Sequence, residues 1–363
     1  MTKIRINNIE VETGSDQTIL DAARKAGISI PTLCHKDGVE HYSSCMVCMV
    51  KENKTNNFIP SCTALAQEGM DIDASGEEVL SIRKKAIELL LSEHRAECEA
   101  QCRVVCPAGY NIPLMNRLLA DGDIERAIML SFSEVNSNEI KCLTCAGYCE
   151  NACRRKKIDT PVSIRNIMIF IAQSTAGDYS AKISNLQANK DLSDSLAREN
   201  HPFNKKQFSS RIGRLETSEQ NEWLKECTGD GTRYRTITDF RTAGAEAENC
   251  MHCDCRAAVN CALRELAEEY TIKDPKGKLV NAPVEKKINH RNGLIFENAK
   301  CIKCGLCVRL CEDSTDEPAL CFINRGFVSI ISEPLTEEFD NILAAKADIC
   351  IEICPTGALS RFK

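Results

Sequence analysis

Twenty-three of the 363 residues are cysteines, and most stand in tight groups. The groups are Cys34, Cys45, Cys48 and Cys62; Cys98, Cys102 and Cys106; Cys142, Cys145, Cys149 and Cys153; Cys250, Cys253, Cys255 and Cys261; Cys301, Cys304, Cys307 and Cys311; and Cys350 with Cys354. Only Cys227 and Cys321 stand apart. Four soft thiolates converging on one point can hold an iron–sulphur cluster or a zinc ion. Disulfide scaffolds also concentrate cysteine, but they are short exported chains with paired thiols. An odd count here, and no apolar leader in MTKIRINNIEV, point to reduced thiols in a cytoplasmic protein. No run approaches the roughly 18 apolar residues of a membrane helix, so no membrane span is expected.

Spacing separates these groups. Cys34, Cys45, Cys48 and Cys62 read C-x10-C-x2-C-x13-C, a loop giving three ligands and a neighbouring strand the fourth. Cys250, Cys253, Cys255 and Cys261 read C-x2-C-x-C-x5-C, enough for one cubane; structural zinc sites generally come as two separated C-x2-C knuckles, though zinc stays the rival here. Cys301, Cys304, Cys307 and Cys311 follow the C-x2-C-x2-C-x3-C run of bacterial ferredoxins. A net charge of −6 argues against nucleic acid, whose binders carry a clustered basic face. No GxGxxG or GxxxxGK[ST] loop occurs, so neither flavin nor NAD(P) is expected on this chain.

Around the thiols the sequence predicts an α+β, multidomain protein. Residues 1–78 read as a β-grasp: a hairpin around Asn7-Asn8, a helix opened by Asp16 and stopped by Gly27, then short strands at MVCMVKE and NFIP, with MDIDA closing the sheet. Ser75 and Glu78 form a capping box for a helix reaching about His94, with Val79, Ile82, Ala86 and Leu89 at helical spacing. Residues 79–175 are expected to be mainly helical, with helices over 111–135 and 161–173 that accept Pro113 and Pro161 in their first turns. From 176 to 245 the chain is polar with no sustained hydrophobic period, a linker or a docking arm, and it holds the only Trp, Trp223. Residues 246–275 form a Cys-rich segment, and 276–363 a last module with strands at KKINH and GLIFEN.

Several segments carry family likenesses. The first cysteine group resembles the [2Fe–2S] domain of the large iron–sulphur subunit of complex I and of [FeFe]-hydrogenases, and RKKAIELLLSEHRAEC continues that likeness. Beyond Cys98 the chain departs from it. CPAGYNIPLMNRLLADGDIERAI and CAGYCENACRRKKIDTPVSIRNI look instead like the cysteine domain of the glutamate synthase small subunit and of dihydropyrimidine dehydrogenase. By that resemblance Cys98, Cys102 and Cys153 would hold one [4Fe–4S] cluster, and Cys106, Cys145 and Cys149 another. His94 and Cys142 would complete the two counts by position; otherwise His94 is a solvated histidine at a helix end and Cys142 a spare buried thiol. CIEICPTGALSRF resembles the second half of a bacterial ferredoxin, which implies that Cys354 joins Cys301, Cys304 and Cys307. Ala344 and Ala347 stand where a second cluster of that module would need thiols, so Cys311 and Cys350 are expected to be relics and Cys321 a packed thiol.

These features imply an electron-transfer subunit with one [2Fe–2S] and four [4Fe–4S] clusters and no catalytic site of its own. It would pass electrons between a flavin-containing NAD(P)H-binding subunit and a second redox subunit or ferredoxin, in a hetero-oligomer. A zinc-stabilised scaffold and an iron–sulphur redox sensor are the rivals.

Overall fold

Asn7 and Asn8 both adopt positive φ, 50° and 67°, the geometry of the two-residue turn that matches strand twist. They join β1 (Thr2–Ile6) to β2 (Ile9–Thr13). In the computed structural model, which describes residues 1–40, 42–94, 97–133, 141–175, 188–200, 217–272, 284–312, 319–343 and 345–362, this hairpin starts a five-stranded mixed sheet. Helix α1 (Ile19–Lys25) follows, then β3 (Met49–Glu52), β4 (Asn57–Pro60) and β5 (Asp71–Asp73), in the order β2-β1-β5-β3-β4 with β5 parallel to β1. Ile4, Ile6, Ile19, Leu20, Val50 and Ile72 fill its core. Thr18, rather than Asp16, caps α1, because its hydroxyl accepts from Asp21 N while Asp21 answers the Thr18 N–H.

Helix α2 (Glu77–Glu93) departs from the expected capping box. Gly76 is the N-cap and no side chain caps it; Asp73 accepts from the Ser75 and Gly76 N–H groups at 3.0 and 2.7 Å and shapes the turn ahead of the helix. The buried stripe is Val79, Arg83, Ala86, Ile87 and Leu91, and Leu89 faces out. Arg83 explains the rotation: its Nε donates to Met49 O at 2.9 Å and ties α2 to β3.

The middle of the chain is helical. It holds α3 (Gln101–Val104), α4 (Ile112–Ala120), α5 (Ile124–Ser133), α6 (Tyr148–Ala152) and α7 (Ile164–Thr175). The single helix expected over 111–135 breaks at Gly122, whose φ of 75° reverses the chain between α4 and α5; residues 134 and 135 lie outside the described set. Pro113 sits in the first turn of α4 as expected, whereas Pro161 precedes α7 instead of entering it.

The stretch without hydrophobic period contains three more helices, α8 (Lys190–Glu199), α9 (Thr217–Leu224) and α10 (Phe240–Ala247); residues 176–187 and 201–216 lie outside the described set. Its few apolar residues are the buried ones. Leu196 and Ala243 join a core of Ile112, Met115, Leu119, Ile128 and Ile167, and Phe240 meets Phe170 edge to face at 4.9 Å. Gly244 allows α10 to lie on α4, since a Cβ there would stand 2.8 Å from Leu119 O. Trp223 is buried with Met251.

Helix α11 (Ala262–Glu269) leads into β6 (Lys286–Asn289), β7 (Leu294–Glu297), α12 (Leu306–Glu312), β8 (Cys321–Ile323), β9 (Ile330–Ser332), α13 (Ala347–Ile353) and β10 (Leu359–Arg361). The strands make a three-stranded sheet β10-β7-β6 and a separate β8-β9 pair, as expected for KKINH and GLIFEN. The chain divides into two units, Met1–Arg95 with Asn260–Lys363, and Ala96–Val259. In the first unit the two chain segments meet where the Arg309 guanidinium lies 4.2 Å from the Tyr42 ring centre and Lys303 Nζ lies 3.6 Å from Glu93. Among the described residues no helix is long and apolar enough to cross a membrane.

Candidate metal centres

In the first unit the β3–β4 register pairs Met49 with Pro60, which brings the flanking Cys48 and Cys62 to a Sγ–Sγ distance of 3.3 Å. Cys34 and Cys45, from the loop after α1, complete a buried set of four. Hydrogen bonds from the Cys45 and Cys62 thiols hold Cys34 far below the usual thiol range, and Cys62 brings Cys48 down to about 7. Cys45 and Cys62 are pushed up in return, first by the charge-bearing Cys34 they hydrogen-bond. Protons are thus shared unequally among four adjacent sulphurs. A cationic iron core relieves that crowding by taking all four as thiolates.

Also in this unit, Cys301, Cys304, Cys307 and Cys354 line one recess of about 320 Å³ with Phe296, Leu306 and Pro355. Positive φ at Lys303 (56°) and Gly305 (76°) curls the loop so that its thiols point one way. Lys303 N–H donates to Cys301 Sγ at 3.3 Å, a main-chain donor aimed at a ligand sulphur. Burial raises Cys301 to about 12 and lifts Cys304 and Cys307 as well. Cys45 and Cys301 line one cleft with Ile82, Leu89 and Leu90, which makes the two thiol groups of this unit neighbours. Cys311 and Cys350 lie outside the recess, 3.9 Å apart in the apolar core beside Leu343 and Ala347.

The second unit has its own recess, of about 370 Å³, lined by Cys102, Cys153, Cys250 and Cys253. Cys102 and Cys153 face Cys250 and Cys253, while Cys98 and Cys255 lie outside this lining and are joined through main chain, Cys255 N to Cys98 O at 3.3 Å. His94, the C-cap of α2, and Cys261 are buried in the first unit. His252, between Cys250 and Cys253, adopts φ 42°. Burial, and then the charge of Cys153, raises Cys102 well above the ordinary thiol range.

Cys106, Cys142 and Cys149 pack on one core, and Cys145 N–H donates to Cys142 O at 3.4 Å. Burial raises Cys142 and Cys149 to about 12, and charges on Cys106 and, for Cys142, on Cys145 add to it. Arg165 positions the loop by donating to Cys142 O and Leu143 O, each at 3.1 Å. Soft, buried sulphurs grouped in fours fit the ligand sets of iron–sulphur clusters.

Other groups around the second unit's recess had no spacing signal. Arg154 pairs with Glu97 at 2.8 Å, both almost fully buried, stacks 5.2 Å from the Trp223 ring centre and bears electrostatically on Cys253. Cys227 accepts from Arg155 at 3.3 Å and points its thiol at Cys250 O, also at 3.3 Å. Asn116 reaches the recess from α4.

Comparison with known proteins agrees with the thiol geometry. Residues 1–76 match the 2Fe-2S iron-sulphur cluster binding domain, 84–179 match dihydropyrimidine dehydrogenase domain II, 4Fe-4S cluster, and 294–360 match the ferredoxin-like domain of NADH-quinone oxidoreductase subunit 3. The chain carries three iron–sulphur domains. These are the likenesses expected from its motifs. NADPH-Fe(3+) oxidoreductase subunit alpha of Geobacter sulfurreducens is 28% identical over 154 residues, 40% of this chain and 18% of that one. NAD-reducing hydrogenase HoxS subunit gamma of Cupriavidus necator is 28% identical over 118 residues, 31% of this chain and 49% of that one. The chain thus spans less than half the length of these curated relatives. A solved chain of NAD+-reducing [NiFe]-hydrogenase in the H2-reduced state shares the fold at TM-score 0.50 and 15% identity, over 99% of this chain and 87% of that one.

Proposed function

We propose that the chain is an electron relay within a larger NAD(P)H-linked oxidoreductase. The observation that carries this reading is the neighbourhood of two thiol groups in one unit, Cys45 and Cys301 lining one cleft. When bound, the clusters supply one-electron chemistry; the chain supplies spacing, burial and hydrogen bonds to sulphur. Cys34, Cys45, Cys48 and Cys62 would hold [2Fe–2S]. Three sets would each hold [4Fe–4S]: Cys301, Cys304, Cys307 and Cys354; Cys102, Cys153, Cys250 and Cys253; and Cys106, Cys142, Cys145 and Cys149. A fourth [4Fe–4S] cluster would draw on cysteines outside these sets, Cys98 and Cys255 among them. The relatives whose names include NADPH, NAD and hydrogenase support the assignment to such a complex.

The partners are a flavin-containing NAD(P)H-binding subunit and a second redox subunit or ferredoxin, in the cytoplasm, with no flavin or NAD(P) on this chain. Anaerobically prepared protein should hold about 18 iron atoms, from one two-iron and four four-iron clusters. NAD(P)H alone should leave its visible absorbance unchanged, and addition of the flavoprotein should bleach it. Zinc near four per chain with little iron, or direct reduction of the isolated chain by NAD(P)H, would overturn the proposal.

A further inference from the structure

Asn116 lies on α4, where the other inward residues, Ile112, Leu114, Met115, Leu118 and Leu119, are all apolar. Its side chain is fully buried, and both amide atoms, Oδ1 and Nδ2, lack a well-formed hydrogen bond to any protein atom. A buried amide without a partner is destabilising, and an apolar residue would suit this helix face better. Asn116 lines the same recess as Cys102, Cys153, Cys250 and Cys253. An amide N–H on this lining can donate to the recess sulphurs, which accept such hydrogen bonds.

We propose that Asn116 is a positioning residue for this centre: its amide donates to the sulphurs of the Cys102, Cys153, Cys250 and Cys253 group and raises that group's reduction potential above the value the four thiolates alone would set. The inference rests on the assignment of a [4Fe–4S] cluster to this recess. Reduction adds negative charge to the core and its ligands, so a hydrogen bond to sulphur stabilises the reduced form more than the oxidised one. Neighbouring Arg154 acts through charge; Asn116 acts without a net charge, and its effect should not change with ionic strength.

The test uses the full chain, reconstituted anaerobically, with each centre followed by EPR through a redox titration. Asn116→Leu preserves volume and removes the donor. The expected result is a shift of one [4Fe–4S] midpoint to lower potential, with the others unmoved and iron content equal to wild type. Asn116→Asp, with an acceptor in place of the donor, should shift the same midpoint further down, and deuterium exchange should alter proton couplings of that signal in wild type but not in Asn116→Leu. Unchanged midpoints in Asn116→Leu with full iron would overturn the inference. A loss of about four iron atoms in Asn116→Leu would also overturn it, by making the residue a support of the pocket. The underlying assignment fails separately: Cys250→Ala would then keep its full complement of iron.

Discussion

Arg117 and Asp254 form a two-pronged ion pair, Nη1 to Oδ1 at 2.9 Å and Nη2 to Oδ2 at 2.8 Å, between residues 137 positions apart. The pair fastens α4 to the loop that carries Cys250, Cys253 and Cys255. Burial alone would raise the Asp254 carboxyl, but the Arg117 charge and hydrogen bonds outweigh it and hold the carboxyl well below the usual range.

Removing one partner leaves the other charge buried without compensation, which typically destabilises by about 3–5 kcal/mol. Arg117→Met should therefore lower the unfolding midpoint strongly, and Arg117→Met with Asp254→Leu should recover much of the loss. Thermal and urea unfolding of the two variants check this; equal destabilisation by single and double changes would show that the pair does not act as a unit.

Thiol grouping is directly measurable as iron. Cys102→Ala and Cys250→Ala should each cost about four iron atoms, and the double variant should cost no more, because both serve one cluster. If they served different clusters, as their places in the sequence suggest, the double variant would lose about eight. Cys102→Ala with Cys98→Ala is the comparison expected to lose more than either alone.

The buried pair Cys311 and Cys350 should be dispensable for metal. Replacing both by Ala should leave iron unchanged and reduce stability through the small cavities left beside Leu343 and Ala347. Cys354→Ala, by contrast, should cost about four iron atoms. Iron assay after gel filtration separates the two outcomes.

Burial raises the Cys227 thiol from the ordinary 9.0 to about 11, although Arg155 beside it pulls the other way. The folded protein keeps that proton where the unfolded chain loses it, so stability from this group is complete below pH 9 and lost as pH rises to about 11. The two-unit shift corresponds to roughly 2–3 kcal/mol. The unfolding free energy should fall across this window and the fall should be shallower in Cys227→Ala; identical slopes would remove Cys227 as the cause.

The sequence made the centres legible wherever ligands lie close in the chain and a fixed loop shape carries them, as at Cys301, Cys304 and Cys307. The hairpin at Asn7-Asn8 and the strands around Cys48 and Cys62 were equally plain, because turn chemistry and two-residue alternation are local. Partnerships across the second unit were not. Cys102 and Cys250 are 148 positions apart, and nothing local in either segment says that they line one recess. The helices between 190 and 247 escaped for a related reason: with few apolar residues, such as Leu196, Trp223 and Ala243, each buries too little to leave a periodic trace.

The first unit is assembled from both ends of the chain, with residues 96–259 inserted between its halves. During vectorial synthesis the inserted unit has all its residues, including Cys102, Cys153, Cys250 and Cys253, before Cys301 has been made. The N-terminal sheet has a core of its own and does not have to wait. Tyr42 and Glu93, however, meet Arg309 and Lys303 only after the inner unit has left the ribosome. Order of emergence therefore gives the inner thiols access to iron before Cys301, Cys304 and Cys307, and the last surface to close is the one beside Cys304.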